Sequence, residues 1–207
     1  FLSESLLSCL MLHIDLICGV DEAGRGPWAG PVTAAAVILN PHQPIEGLTD
    51  SKKISEKKRF ALEPEIKAKA AYWCVAHAQP DEIDQLNIRE ATFLAMQRAL
   101  DGLGTVPEQI LVDGNALPGA LPAPAQAIIK GDLKEPAISA ASILAKTERD
   151  RLMLAFDRDF PAYGFGGHKG YGTAAHADAL QRLGPCPIHR TSFAPVRRAM
   201  LSETLTN

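Results

Sequence analysis

Residues 19–30 read GVDEAGRGPWAG, and the reading of this stretch decides the fold. An apolar run, LICGV, leads into two adjacent acids, Asp21 and Glu22, and then into Gly24, Arg25 and Gly26. The GRGPWA segment satisfies the G-x-G-x-x-G/A pattern of a dinucleotide loop, with Glu46 about 20 residues on. Such a loop must open directly into a helix whose N–H groups face a pyrophosphate. Here Pro31 and VTAAAVIL follow, a β-branched, apolar segment that reads as a strand. A Walker loop would need G-K-[ST], which is missing. The stretch is therefore expected to be strand, turn, strand, with two acids where the first strand meets the turn. Adjacent strand residues face opposite sides, so one of the two carboxylates points inward unless the strand bends.

A buried carboxylate needs company, and the rest of the chain supplies it. QILVD (109–113) is a short apolar strand ending in Asp113, and AQAIIKGD (125–132) reads as another ending in Asp132. Each acid alone has an ordinary explanation as a turn residue. Together, three strands terminating in acids bring four carboxylates to one sheet edge, where like charges cannot all stay ionised without a cation. Oxygen ligands of this kind select Mg²⁺ or Mn²⁺ over zinc. The matching chemistry is two-metal phosphoryl transfer, one ion activating water and the other stabilising the leaving oxygen.

The surrounding pattern frames those strands. Ile14–Val20 and Val32–Leu39 are expected to pair antiparallel, with a third strand over 71–78. A helix is expected from near Ser55 to about Ala70, and a helical pair over residues 80–103 is closed by Gly102 and Gly104. AISAASILAKTERDRLMLAFDRD reads as a long helix, GFGGHKGYG as a glycine-rich loop, and two further helices end near Leu183 and Leu201. Three strands followed by alternating helices and strands imply an α/β fold: a mixed five-stranded sheet with helices on both faces and a helical C-terminal region from about residue 173.

Bulk properties agree with this reading. The chain has 207 residues, 46% hydrophobic and 22% charged, which suits one globular domain, here expected over 13–207. A formal net charge of −3 advertises no polyanion partner, but a few clustered basic side chains are enough to contact phosphates. Four scattered cysteines without a C-x-x-C pair argue against a zinc site and for reduced thiols in a cytoplasmic protein. No apolar run reaches the roughly 18 residues of a membrane span. The opening FLSESLLSCLMLHID mildly resembles a secretory h-region but lacks a basic n-region and a cleavage site. Residues 1–12 are expected to be an extension outside the fold.

GVDEAGRGPWAGPV, DSKK, DGN, KGD, SAASILAKTERD, GHKGY and RTSFAPVRRA occur in this order, and together they resemble bacterial ribonuclease HII from about residue 17 to 200. The resemblance implies a ribonuclease H-like fold and metal-dependent cleavage on the 5′ side of a ribonucleotide embedded in duplex DNA, with Mg²⁺ or Mn²⁺ as cofactor. It implies Asp21, Glu22, Asp113 and Asp132 as catalytic, metal-binding carboxylates, with Asp150 the alternative fourth acid; Asp132 is preferred because it ends a strand. Gly24, Arg25 and Gly26 resemble the element that approaches the ribose 2′-hydroxyl, the group that separates RNA from DNA. Tyr171 resembles the tyrosine that packs on the deoxyribose at the RNA–DNA junction. Thr49 departs from the pattern, Asn being common there, without touching the chemistry.

Phosphate contacts are expected from Lys52 and Lys53, and from Ser139, Ser142 and Lys146, whose spacing puts them on one helix face. The Lys57-Lys58-Arg59 run reads as a solvated helix face, and Arg190, Ser192, Arg197 and Arg198 either extend a basic surface or are solvated. The histidines form no ligand pattern, although His168 could border the substrate. The expected partners are RNA–DNA hybrids and ribonucleotide-containing duplexes, with no membrane. The chain is expected to be a monomer, and a replication-clamp contact is left open. Two rivals remain: another two-metal nuclease of this fold, such as a junction resolvase, and a non-catalytic hybrid-binding module.

Overall fold

The computed structural model describes residues 16–204. Its sheet has the order β3-β2-β1-β4-β5, built from β1 (Ile17–Ala23), β2 (Val32–Ile38), β3 (Tyr72–Ala78), β4 (Gln109–Asp113) and β5 (Ala125–Ile128). The first three strands pair antiparallel, and β4 and β5 run parallel to β1. Residues 14 and 15 of the expected first strand lie outside the described residues, as does the expected extension over 1–12. The strand itself runs on through both acids to Ala23. No helix follows Gly26, and Val32 opens β2, which removes the dinucleotide reading.

Seven helices are described: α1 (Glu56–Lys69), α2 (Pro80–Leu86), α3 (Ile88–Asp101), α4 (Pro136–Asp159), α5 (Phe165–His168), α6 (Ala174–Leu183) and α7 (Ala194–Thr204). The Ser55 hydroxyl caps α1 by accepting from the Lys58 amide at 3.2 Å, and the helix continues past Pro64. The break between α2 and α3 falls at Asn87, whose backbone adopts φ 73° and whose Oδ1 accepts from the Arg89 and Glu90 amides. The glycine-rich stretch is less irregular than expected, because Phe165–His168 forms a short helix whose Phe165 is buried.

Strand alternation divides the core between the two faces. Cys18, Val20, Ala34, Ala36, Ile38, Ile110 and Val112 pack with Ala91, Ala95, Ala99 and Leu100 of α3. Ala35 and Val37 face the other way, against Ala140, Ala141, Leu144 and Ala145 of α4 and Leu62 and Ile66 of α1. Each buried valine, leucine or isoleucine contributes roughly 1.5–3 kcal/mol. The alanines on both sides let α4 approach β1 closely. At Gly19 the approach is extreme: a Cβ built there would lie 2.1 Å from the Ala137 carbonyl carbon, so no side chain fits. This contact fixes α4 across the strand that carries the acids.

Candidate active site

The parallel register places the carboxylates together. Val20 pairs with Val112, so Asp21 and Asp113 lie one step on, side by side at the ends of neighbouring strands. Alternation sends Asp21 to the α4 face, where it is buried beside Ser142. Glu22 takes the opposite face and looks into a cleft floored by Thr92, Phe93 and Met96 of α3, beside Asp113. The expectation that the two acids part across the sheet holds.

Asp132 reaches the group by a different route from the one expected. The last strand ends at Ile128, not at Asp132. Lys130 then adopts a left-handed conformation, φ 57°, and a 3-10 turn over Gly131–Leu133 folds back toward β4. The Gly131 amide donates to Asp113 Oδ1 at 2.7 Å, tying the turn to the strand end. Asp132 is thus a buried turn residue beside Asp113, and Asp50 lies within hydrogen-bonding reach of it. The alternative fourth acid, Asp150, is already spoken for: it is buried and pairs with Lys146 at 2.6 Å and Arg59 at 3.5 Å.

Mutual repulsion marks the cluster. Burial, then the charges of Glu22 and Asp113, raise the Asp21 carboxyl well above the usual carboxylate range. Burial also raises Glu22, with Arg25 and Lys52 pulling it down against Asp113. Asp132 is raised by burial and then by Asp113 and Asp50, with Lys52 opposing. Asp113 is therefore the acid whose charge is felt by the other three. Among the described residues none of Asp21, Asp113 and Asp132 forms an ion pair with a basic side chain, and Glu22 has only Arg25 at 3.7 Å. An all-oxygen donor set with this much uncompensated charge fits a hard divalent cation. Among the described residues no three His, Cys, Asp or Glu side chains stand close enough together, as placed, to hold a metal ion, so the carboxylates would have to draw in around one.

Two clefts meet at Glu22 and Arg25. One, of about 470 Å³, includes Arg89, Phe93, Asp113 and Asn115. The other, of about 480 Å³, is lined by Gly24, Arg25, Gly26, Ser51, Lys52, Arg59, Lys146 and Tyr171. The expected GRG element and Tyr171 do face each other, since a Cβ on Gly26 would lie 3.8 Å from the Tyr171 ring. Gly24 is required for another reason: its φ is +94° and a Cβ would lie 1.9 Å from Arg149 Nε. Lys53 is exposed and lies outside this lining.

A family model for ribonuclease HII matches residues 18–196. The chain belongs to the ribonuclease HII family. It is similar to the ribonuclease HII of Hyphomonas neptunium, 67% identical over 90% of this chain and 97% of that one. The ribonuclease HII of Idiomarina loihiensis is 58% identical over 89% and 98%. Among solved structures, ribonuclease H2 from Pyrococcus horikoshii OT3 superposes with TM-score 0.76 at 26% identity, covering 92% of this chain and 99% of that one. The PCNA:RNase HII complex from Archaeoglobus fulgidus gives 0.66 at 28%, over 80% and 85%. The fold is thus ribonuclease H-like, and this ribonuclease is a metal-dependent endoribonuclease that hydrolyses RNA in RNA–DNA hybrids. Among the described residues no helix is long and apolar enough to cross a membrane.

Several expectations for this ribonuclease need correction. Ser139 and Ser142 share a helix face, but that face is inward. Ser139 Oγ donates to the Asp132 carbonyl at 2.7 Å, and Ser142 Oγ donates to Ser51 Oγ at 2.8 Å. Their hydroxyls brace the acidic cluster from within instead of forming a wet stripe. Arg59 is buried under the second cleft, donating to the Ser51 and Ile54 carbonyls, so it is no part of a solvated face. Arg190 is fully buried and donates to the carbonyls of Gly24, Arg25 and Gly30. Arg149 does the same for Ala29, Pro31 and Lys169. Neither guanidinium pairs with a carboxylate among the described residues, so two buried positive charges underpin the GRG turn. Burial pulls them down to about 10 and about 9, for Arg149 and Arg190, still protonated at neutral pH. Ser192 and Thr191 donate to Asp84 and tie the start of α7 to α2. His168 is held by Gly170 and Tyr163 and does not line the clefts.

Proposed function

We propose that this ribonuclease cleaves on the 5′ side of ribonucleotides in duplexes, including single ribonucleotides embedded in DNA, leaving 3′-hydroxyl and 5′-phosphate ends. Asp21, Glu22, Asp113 and Asp132 would hold Mg²⁺ or Mn²⁺. When bound, such ions lower the pKa of a coordinated water and offset charge on the leaving 3′-oxygen. The protein's own work is to keep the carboxylates aimed: the Glu22 amide donates to Asp21 Oδ1 at 2.7 Å, the Gly131 amide to Asp113 Oδ1 at 2.7 Å. Each of these carboxylates keeps a second oxygen for a ligand. Lys52, beside Glu22 and Asp132, and Lys146, in the same cleft, offer positive charge to the nucleic-acid backbone. The GRG turn and Tyr171 line one cleft, and the bare Gly26 beside the Tyr171 ring leaves its backbone open for approach to a 2′-hydroxyl.

The observation that carries this reading is the position of Asp113, which lines the first cleft and whose charge acts on Asp21, Glu22 and Asp132. The test compares one duplex with and without a single internal ribonucleotide, in Mg²⁺, Mn²⁺ or chelator. The expected result is a single cut 5′ to the ribonucleotide with either metal and none in chelator. Equal cutting of the all-DNA duplex would favour a junction-resolving or general nuclease, and binding without cleavage would favour a non-catalytic module.

A further inference from the structure

His168, His176 and His189 gather behind the substrate cleft around Phe165, away from the carboxylates. His176 and His189 are almost wholly buried, and His168 stacks on His176 with centroids 4.4 Å apart. The hydrogen bonds of the buried pair can be directed from their ends, because backbone groups have fixed roles. At one end the Cys186 amide donates to His189 Nδ1 at 2.9 Å. The Cys186 carbonyl, 3.3 Å from the same nitrogen, already accepts from the His189 amide at 3.0 Å. The Cys186 thiol, at 3.2 Å, is a second possible donor to it. Nδ1 of His189 therefore carries the lone pair, and the ring proton is on Nε2.

His189 Nε2 lies 3.0 Å from His176 Nε2, which must accept. The proton of His176 is then on Nδ1, 2.9 Å from the Tyr171 carbonyl oxygen, which can only accept. The two ends agree without adjustment. The chain runs one way: Cys186 N–H to His189, His189 Nε2–H to His176, His176 Nδ1–H to Tyr171 C=O. An added proton would set two donors face to face at one of these junctions. Burial keeps both imidazoles below their ordinary range, His189 at about 4.

We propose that His176 and His189 are positioning residues: a neutral, fixed-tautomer hydrogen-bond chain that ties the Tyr171 backbone to the 186–189 loop and so sets the Tyr171 ring against the substrate sugar. Tyr171 is 44% exposed and cannot hold its ring in place by burial alone. Its backbone is gripped instead: its amide donates to the His168 carbonyl at 2.9 Å, and its carbonyl accepts from the Thr173 amide at 2.8 Å as well as from His176. Of these grips only the imidazole chain reaches from Tyr171 to a distant segment. That segment continues into Arg190, which holds the carbonyls of Gly24 and Arg25 on the opposite wall of the cleft. The 186–190 strip thus sets both walls, and with them the width of the gap.

The inference rests on Tyr171 as a substrate contact, so its test has two independent arms. In the first, long-range ¹H–¹⁵N spectra of histidine-labelled protein should show His176 protonated at Nδ1 and His189 at Nε2; the opposite tautomer on either ring overturns the chain. In the second, cleavage of a duplex with one ribonucleotide is compared with that of a uniform hybrid. His176→Leu should lower the single-ribonucleotide preference about fivefold, through KM, as one lost hydrogen bond predicts. His176→Asn, whose amide can donate from the Nδ1 position, should keep the preference within about twofold, and it serves if the leucine variant fails to fold. Tyr171→Ala should match His176→Leu, with no further loss in the double variant. Equal loss on both substrates, or additive losses, would reduce the pair to fold support and overturn the proposal. If Tyr171→Ala leaves the preference intact, the reading of Tyr171 fails, while the spectra still decide the chain.

Discussion

Replacing Arg190 by lysine keeps the charge and removes the fork. Arg190 donates to the Gly30 carbonyl at 2.9 Å, the Arg25 carbonyl at 2.9 Å and the Gly24 carbonyl at 2.6 Å, from a wholly buried position. An ammonium on a flexible stem can satisfy one of three carbonyls fanned out to match a planar guanidinium. The other two are left buried without a donor, at about 1–3 kcal/mol each. A loss of about 3 kcal/mol follows, which for a chain of this size lowers Tm by about 6–12 °C. The assay is equilibrium urea unfolding with a thermal melt in parallel; the midpoint should fall while the m-value stays unchanged. Held well below both transitions, the variant should also show a raised KM for the ribonucleotide-containing duplex, because the freed carbonyls belong to the GRG turn. A loss below about 1 kcal/mol would mean that the carbonyls find water easily, and the picture of a turn stapled by buried charge would be wrong.

Three further outcomes follow from the packing and the site. Gly19→Ala should destabilise by about 3 kcal/mol or more, measured by the same melts, because its methyl meets the Ala137 backbone, which cannot swing aside as a side chain can. Tyr171→Ala, at an exposed position, should leave stability within about 1 kcal/mol while lowering single-ribonucleotide cleavage. His189 makes folding pH-dependent: its pKa falls from 6.5 unfolded to about 4 folded, so the unfolded chain takes up a proton that the fold refuses. Stability is then full above pH 6.5 and declines toward pH 4, by up to about 3 kcal/mol, and His189→Gln should flatten that stretch of the stability–pH curve.

The elements carrying the chemistry were the ones most legible in sequence, for a physical reason. β1 and β4 are central strands flanked by helices on both faces, so they read as apolar runs, and an acid at the end of such a run stands out. The limit of β5 was not legible: Ile129 continues the apolar pattern, yet it is 63% exposed, and the turn is made by a lysine in a left-handed conformation. Lysine gives no local signal for that, unlike glycine. The Ser139–Ser142 spacing was read correctly and its direction wrongly, because polar residues on a helix usually mark the wet face. Here they are small enough to bond inward, to the Asp132 carbonyl and Ser51. Arg59, Arg149 and Arg190 were invisible as buried groups, since arginine is almost never fully buried and their acceptors are carbonyls of distant loops. The Lys146–Asp150 pair, at i,i+4, was the one available hint that Asp150 is committed within its own helix.

The acidic cluster can be tested by its response to ions without any cleavage assay. In chelator, Asp113→Asn should leave Tm unchanged or raise it, because the substitution removes a charge that burdens Asp21, Glu22 and Asp132. With Mn²⁺ at about 100 times its dissociation constant, the unaltered protein should gain about 2.7 kcal/mol, or about 5–10 °C. The variant should gain little or nothing. An equal Mn²⁺-induced rise in both proteins would contradict the convergence of these four carboxylates on a shared cation.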